Sequence, residues 1–267
     1  IRIKMPDVVP PFLQDGFASI IPLFLSAVFF LIISTVVTIS TEGTYSICSG
    51  FMALLSTPLG ALTSVPGMFI LCIFGALLWC FGIHGTMILV PIIMPLGIQA
   101  AVANGAAHAA GEPLVFYPVA LFGYMAIAGG TGNTLPLALL GLRSKSKQIS
   151  AVAKISAVPG WFGINEPLTF GMPIMYNPVL CIPYVLNIPV VMLCALILYQ
   201  VGFLQPAWIS ISALLPMGMG QYLSTLRWQN AVGDYLMLIP ATLIYYPFFK
   251  IYEKQLIAKE TAEAAKA

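Results

Sequence analysis

The sequence predicts an all-α integral membrane protein with about five transmembrane helices and two opposed re-entrant hairpins, and three observations lead there. Apolar residues make up 60% of the 267 and charged residues only 7%, and the mean hydropathy of +0.97 lies far above the range of soluble chains. Apolar runs close to the ~20 residues that cross ~30 Å of hydrocarbon recur several times, so the chain is polytopic. Between those runs lie Gly- and Pro-rich stretches, too polar for lipid contact and too apolar for a solvated loop. That is the composition of irregular backbone lining a cavity within a membrane.

Each element follows in order from the same reasoning. Residues 1–16 are an extracytoplasmic lead segment, rich in proline and opening without methionine, which reads as a truncated start. Residues 17–249 form the transport domain. Within it, FASIIPLFLSAVFFLIISTVVTI (17–39) is the first span, and residues 41–66 read as an interfacial or partly re-entrant stretch. Residues 67–81 make the second span, which breaks at FGIHG and runs into the first hairpin, near 84–113, where Pro91 and Pro95 stand. Residues 115–142 are again long enough to cross, although GGTGNT interrupts them at 129–134. The second hairpin lies near 157–176, followed by a span at 179–199 and an interfacial stretch at 208–228 with tryptophan at each end. Residues 234–249 are the last crossing, and residues 250–267 form a charged, helix-favouring tail.

Arg143, Lys145, Lys147 and Lys154 cluster in one loop and Lys250, Lys254, Lys259 and Lys266 in the tail, so the positive-inside rule places both in the cytoplasm. The hairpin near 157–176 then enters from the cytoplasm and the one near 84–113 from outside. Glu112 to Phe116 and Glu166 to Phe170 share the pattern EPLxF, one on each hairpin, as an inverted repeat requires.

Several function classes are excluded. A net charge of +2 without a basic face offers nothing to nucleic acid. The five cysteines contain no CxxC and sit in apolar stretches, where cysteine is a small hydrophobe, so neither a metal nor a redox role is expected. No Walker sequence, GxGxxG, HExxH or nucleophile context appears, and no cofactor is expected.

An ionisable group inside a membrane costs several kcal/mol unless it faces a cavity or a partner, so each one needs a reason. Glu166 stands between Asn165 and Pro167, flanked by Gly163 and Gly171, where the backbone cannot be regular helix. Its carboxylate is expected in a pocket. His84 is flanked by Gly82 and Gly85, which open the backbone around it and favour a functional role, whereas His108 has no such setting. Glu112 mirrors Glu166 or caps its hairpin at the outer interface; Asp234, near Trp228, reads as interfacial. Together with the amides of Asn104, Asn133 and Asn165, the Trp161 ring and the open backbone at Gly163, these residues suit a neutral polyhydroxylated ligand. Carboxylates and amides bond hydroxyls, and aromatic faces stack on sugar C–H faces.

FGIHG, NGAAHAAGEP, GGTGNTL followed by RSKSKQ, and PGWFGINEPLTFGMPIMYNPV together resemble the membrane (IIC) component of the lactose/cellobiose/diacetylchitobiose family of bacterial phosphoenolpyruvate-dependent sugar phosphotransferase systems. The resemblance implies the substrate-binding half of a ten-span IIC permease, homodimeric through an N-terminal half absent from this chain, in the bacterial cell membrane with a cytoplasmic C-terminus. It implies that Glu166 and His84 contact a disaccharide near the hydroxyl that receives phosphate. The donor is then the phosphocysteine of a separate IIB subunit, itself supplied by IIA. Gly163 departs from the family, where many relatives carry asparagine, and this bears on which disaccharide is bound. Two other readings share these features: an ion-coupled secondary sugar transporter, and an inactive permease fragment.

Overall fold

The computed structural model describes residue 6, residues 11–50 and residues 63–265. It divides into two units, Ile1–Ala61 and Leu62–Ala267. The first holds α1, Pro11–Ser40, a 30-residue helix that begins inside the expected lead segment and contains Pro22. Residues 1–5 and 7–10 of that segment, and residues 51–62 of the expected re-entrant stretch, lie outside the described residues.

The second unit contains α2 Val65–Cys80, α3 Gly85–Ala109, a 3-10 helix Pro118–Met125, α4 Leu135–Gly141, α5 Lys147–Trp161, α6 Glu166–Gly171, α7 Pro178–Gln200, α8 Met219–Thr225, α9 Trp228–Leu236 and α10 Leu238–Ala264. No strand occurs among the described residues. Local chemistry sets the helix starts. The Ser64 hydroxyl accepts the Gly67 N–H ahead of α2, with Pro66 in the first turn, and the Asn177 side chain accepts the Val179 N–H ahead of α7, with Pro178 at its first position. α7 packs on α10 and on α2, and α2 on α3. Tyr124, Tyr184, Tyr245 and Phe249 fill the space between them.

Four segments are long and apolar enough to cross a membrane, Phe17–Ser40, Gly85–Ala109, Pro178–Gln200 and Trp228–Ala264, and α2 is a shorter apolar helix. Against the expected order of spans, one assignment is exchanged. The region near 84–113, expected as a hairpin, is the single 25-residue helix α3, and the expected span at 115–142 is broken into a 3-10 helix, a glycine loop and the seven-residue α4. The reason is the different weight of proline and glycine. Pro91 and Pro95 each remove one N–H but keep helical φ, and a long apolar helix tolerates them. Gly129, Gly130 and Gly132 all take positive φ, and no helix passes through such a run.

Three further expectations change. The EPLxF echo is not a structural repeat, because residues 112–116 form no helix whereas α6 begins at Glu166. Residues 250–264 are no separate tail, since α10 continues through them to Ala264. There Glu260 accepts the Lys147 and Gln148 N–H groups and the Ser146 hydroxyl, and Glu253 accepts the Ser144 hydroxyl and the Lys145 N–H. The basic loop and the end of α10 therefore lie together at one end of the unit, as the charge pattern requires. The region near 157–176 is the end of α5, a four-residue turn and α6.

Candidate sugar-binding site

The site is built by two identical chain reversals. α2 ends in Phe81-Gly82-Ile83-His84, and α5 ends in Phe162-Gly163-Ile164-Asn165. In each, the glycine takes positive φ, +79° at Gly82 and +82° at Gly163. The isoleucine N–H reaches back to the sixth carbonyl of a Schellman closure, Leu78 in one and Pro159 in the other. A polar residue then stands at the N-cap of the next helix, His84 before α3 and Asn165 before α6. This FGI-plus-polar repeat, which the sequence reading passed over in favour of EPLxF, is the local signal that marks both reversals.

The GGTGNT loop ties the two reversals together. Thr86 Oγ1 and Thr131 Oγ1 share a hydrogen bond of 2.7 Å, and Asn165 Nδ2 donates to the Thr131 carbonyl at 2.8 Å. Gly130 lies so close that a Cβ there would stand 2.7 Å from the Asn165 side chain and 2.8 Å from the Gly163 carbonyl. His84 is half-buried, its ring centroid 4.2 Å from that of Trp79 and its Nδ1 accepting the Met87 N–H at 3.3 Å. That bond leaves Nε2 as the nitrogen free for a ligand. Glu166 is exposed, one residue beyond the buried Asn165, and its carboxylate has no hydrogen bond or ion pair among the described residues. The carboxylate expected in a pocket is thus an accessible one.

Trp161 and Gly163 belong to the same neighbourhood. The Trp161 indole N–H donates to the Tyr235 hydroxyl at 3.2 Å, that hydroxyl donates to the Met217 carbonyl at 2.8 Å, and the Met217 N–H donates to the Trp161 carbonyl at 2.9 Å. This closed ring of bonds pins the end of α5 to the segment before α8 and fixes the plane of the indole.

The remaining expected ligands do not join them. Asn104 gives both amide hydrogens to the Val115 and Ala207 carbonyls and accepts the Val115 N–H. Asn133, at φ +53° and fully buried, bridges the Tyr124 carbonyl and the Ala128 N–H. Both amides are spent on backbone groups, the ordinary demand on buried loops. Glu112 is exposed at the far end of α3, whose 25 residues put about 37 Å between its termini. His108 stacks on Trp208 at that same end, with 3.9 Å between ring centroids. Asn104→Ala is expected to cost about 2–3 kcal/mol through the unpaired groups it leaves, with sugar affinity unchanged. Thermal unfolding beside a binding titration checks both halves.

One residue escaped the sequence reading. Asp234, expected at an interface, is only 2% exposed, because α9 turns its face inward ahead of α10.

Over residues 1–187 the chain matches the family described as "Phosphotransferase system, EIIC". It is 34% identical to the lichenan permease IIC component of Bacillus subtilis (strain 168) over 96% of this chain and 58% of that protein. It is 32% identical to the cellobiose-specific EIIC component of Geobacillus stearothermophilus over 98% of this chain and 59% of that protein. The solved structure of the transporter ChbC, the IIC component from the N,N'-diacetylchitobiose-specific phosphotransferase system, superposes with a TM-score of 0.74 at 32% identity, covering 97% of this chain and 61% of ChbC. The chain thus spans about three fifths of the length of these relatives. By sequence and by fold, it belongs to the phosphotransferase system EIIC family.

Proposed function

We propose that this chain is the sugar-binding part of a permease that carries a β-linked disaccharide inward and presents it for phosphorylation by a separate IIB subunit. The observation that supports the reading is the convergence of GIHGT, GGTGNT and INEP through the Thr86–Thr131 and Asn165–Thr131 bonds, which ties together the irregular segments to which His84 and Glu166 belong. Irregular backbone at membrane depth is tolerated where it lines a path for solute. The relatives named for lichenan, oligo-β-mannoside, cellobiose and lactose favour a β-linked saccharide as that solute.

In this mechanism His84 Nε2 and Glu166 hold the acceptor hydroxyl. Glu166 takes its proton as the oxygen attacks phosphorus, the O–P bond forms and the S–P bond of the IIB phosphocysteine breaks. The end of the fold that holds the basic loop and the last turns of α10 faces the cytoplasm and IIB. IIA recharges IIB, and the permease dimerises through its other half.

Glu166→Gln keeps the shape and removes the base. With purified permease, IIB, IIA and phosphoenolpyruvate, it is expected to lower the rate of sugar phosphate formation about 100-fold or more. An unchanged rate rejects Glu166 as the base.

A further inference from the structure

Asp234 is the most deeply buried carboxylate among the described residues, at 2% exposure, and one of its oxygens has no hydrogen-bond partner. Its polar neighbours are the backbone N–H of Gly218 and the hydroxyls of Tyr124 and Tyr199, and the ion pairs among the described residues lie elsewhere, at Lys250–Glu253 and Lys259–Glu263. An uncompensated carboxylate away from water costs several kcal/mol. Something must complete it in the working state.

Asp234 lines a cavity of about 390 Å³, within the size range of small-molecule sites. The indole of Trp161, held in its plane by Tyr235 and Met217, forms one wall, and Gln221 and Ser224 on α8 add polar groups. Phe162 and Gly163 also line it, so the cavity reaches the turn that carries Asn165 and Glu166. Gly163 has open space where a side chain would stand. A carboxylate, an amide and a fixed indole face around a cavity match a sugar ring: adjacent hydroxyls donate to the carboxylate while C–H groups stack on the indole. A bare cation fits poorly, because it requires several oxygens converging at one point. Much of this wall is apolar, from Ile127 to Leu214.

Resting on the function proposed above, we infer that Asp234 is a substrate-contacting residue for the second ring of the disaccharide, the ring that receives no phosphate. The reacting ring sits at His84 and Glu166. The other lies against Trp161, with a hydroxyl directed to the buried, unpaired carboxylate oxygen of Asp234. The residue thereby selects disaccharides over monosaccharides.

The test uses the full chain in lipid nanodiscs, with tryptophan fluorescence or calorimetry reading the binding of two probes, cellobiose and methyl β-D-glucoside. Asp234→Asn is expected to weaken cellobiose about tenfold or more while changing the monosaccharide less than about twofold. Gly220→Leu serves as a second variant, since a Cβ at Gly220 meets nothing within 4 Å and the longer side chain fills the cavity from helical backbone. It is expected to show the same selectivity. Unchanged cellobiose binding in both variants overturns the assignment. Equal weakening of both probes by Asp234→Asn, or a sodium-dependent cellobiose affinity lost with the carboxylate, also overturns it. Glu166→Gln separates the two ideas: if it leaves the rate of sugar phosphate formation unchanged while Asp234→Asn still discriminates between the two probes, the Glu166 reading fails and the second-ring assignment stands.

Discussion

Gly132→Ala is expected to remove nearly all folded protein from the membrane fraction. Gly132 takes φ +80°, a region that costs an L-residue about 1–2 kcal/mol. A Cβ there would also fall on the ring of Tyr184, which is fully buried between α7 and its neighbours. On the opposite side, the Gly132 carbonyl accepts the Tyr245 hydroxyl of α10 at 2.6 Å. The glycine is thus held between two core tyrosines, and neither can retreat without opening the helix packing. Strain and overpacking together reach about 3–5 kcal/mol, a large share of the 5–15 kcal/mol that holds most domains folded. Gly97→Ala is the control: it lies in α3 with nothing within 4 Å of the added methyl. Fluorescence-detected size-exclusion of detergent extracts compares the two. A Gly132→Ala peak equal to that of Gly97→Ala would show that the glycine loop opens freely.

Gly85→Ala is expected to weaken sugar binding about 100-fold even in the fraction that folds. Gly85 begins α3 against Gly75 of α2 so closely that an added Cβ would strike the Gly75 carbonyl. Such backbone-to-backbone contact is how membrane helices gain packing energy without a hydrophobic drive between them. A methyl at this point pushes α2 and α3 apart where they carry His84 on one side and Thr86 on the other. The His84–Trp79 ring contact and the Thr86–Thr131 bond then cannot both survive. Loss of these two restraints is expected to weaken cellobiose about 100-fold, and a titration of the extracted variant measures it. By contrast, Gly111→Ala, at φ +71° in open space, is expected to cost only about 1 kcal/mol and no affinity.

Much of this organisation could be read from residue order because its causes are local. Gly82 and Gly163 announce their reversals through the repeated FGI triplet, which depends only on the left-handed conformation that glycine permits. Pro66 and Pro178 mark helix starts for a similar reason. Proline inside a long apolar run misled the reading at residues 91 and 95. Whether one missing N–H ends a helix depends on what surrounds the freed carbonyl, and that is not written in the run itself. The backbone partners of Asn104 and Asn133 were not legible either. An amide looks the same in a sequence whether its partner is a sugar or the backbone of Val115 or Tyr124.

By itself the sequence determined that this is a polytopic helical membrane protein whose ionisable groups are few, and that INEP, GIHG and GGTGNT interrupt its helices. Hydropathy and backbone stereochemistry act within a few residues, so they survive reading one residue at a time. Only the tertiary structure decided that Thr131 joins Thr86 to Asn165, that Asn104 and Glu112 belong to the far end of α3, and that Asp234 turns inward beside Trp161. Those are meetings of side chains 34 to 73 positions apart in the chain, as from Thr131 to Asn165 and from Trp161 to Asp234. Such meetings are set by which helices pack together, a choice that the collective burial of α2, α3, α7 and α10 makes and no single segment encodes.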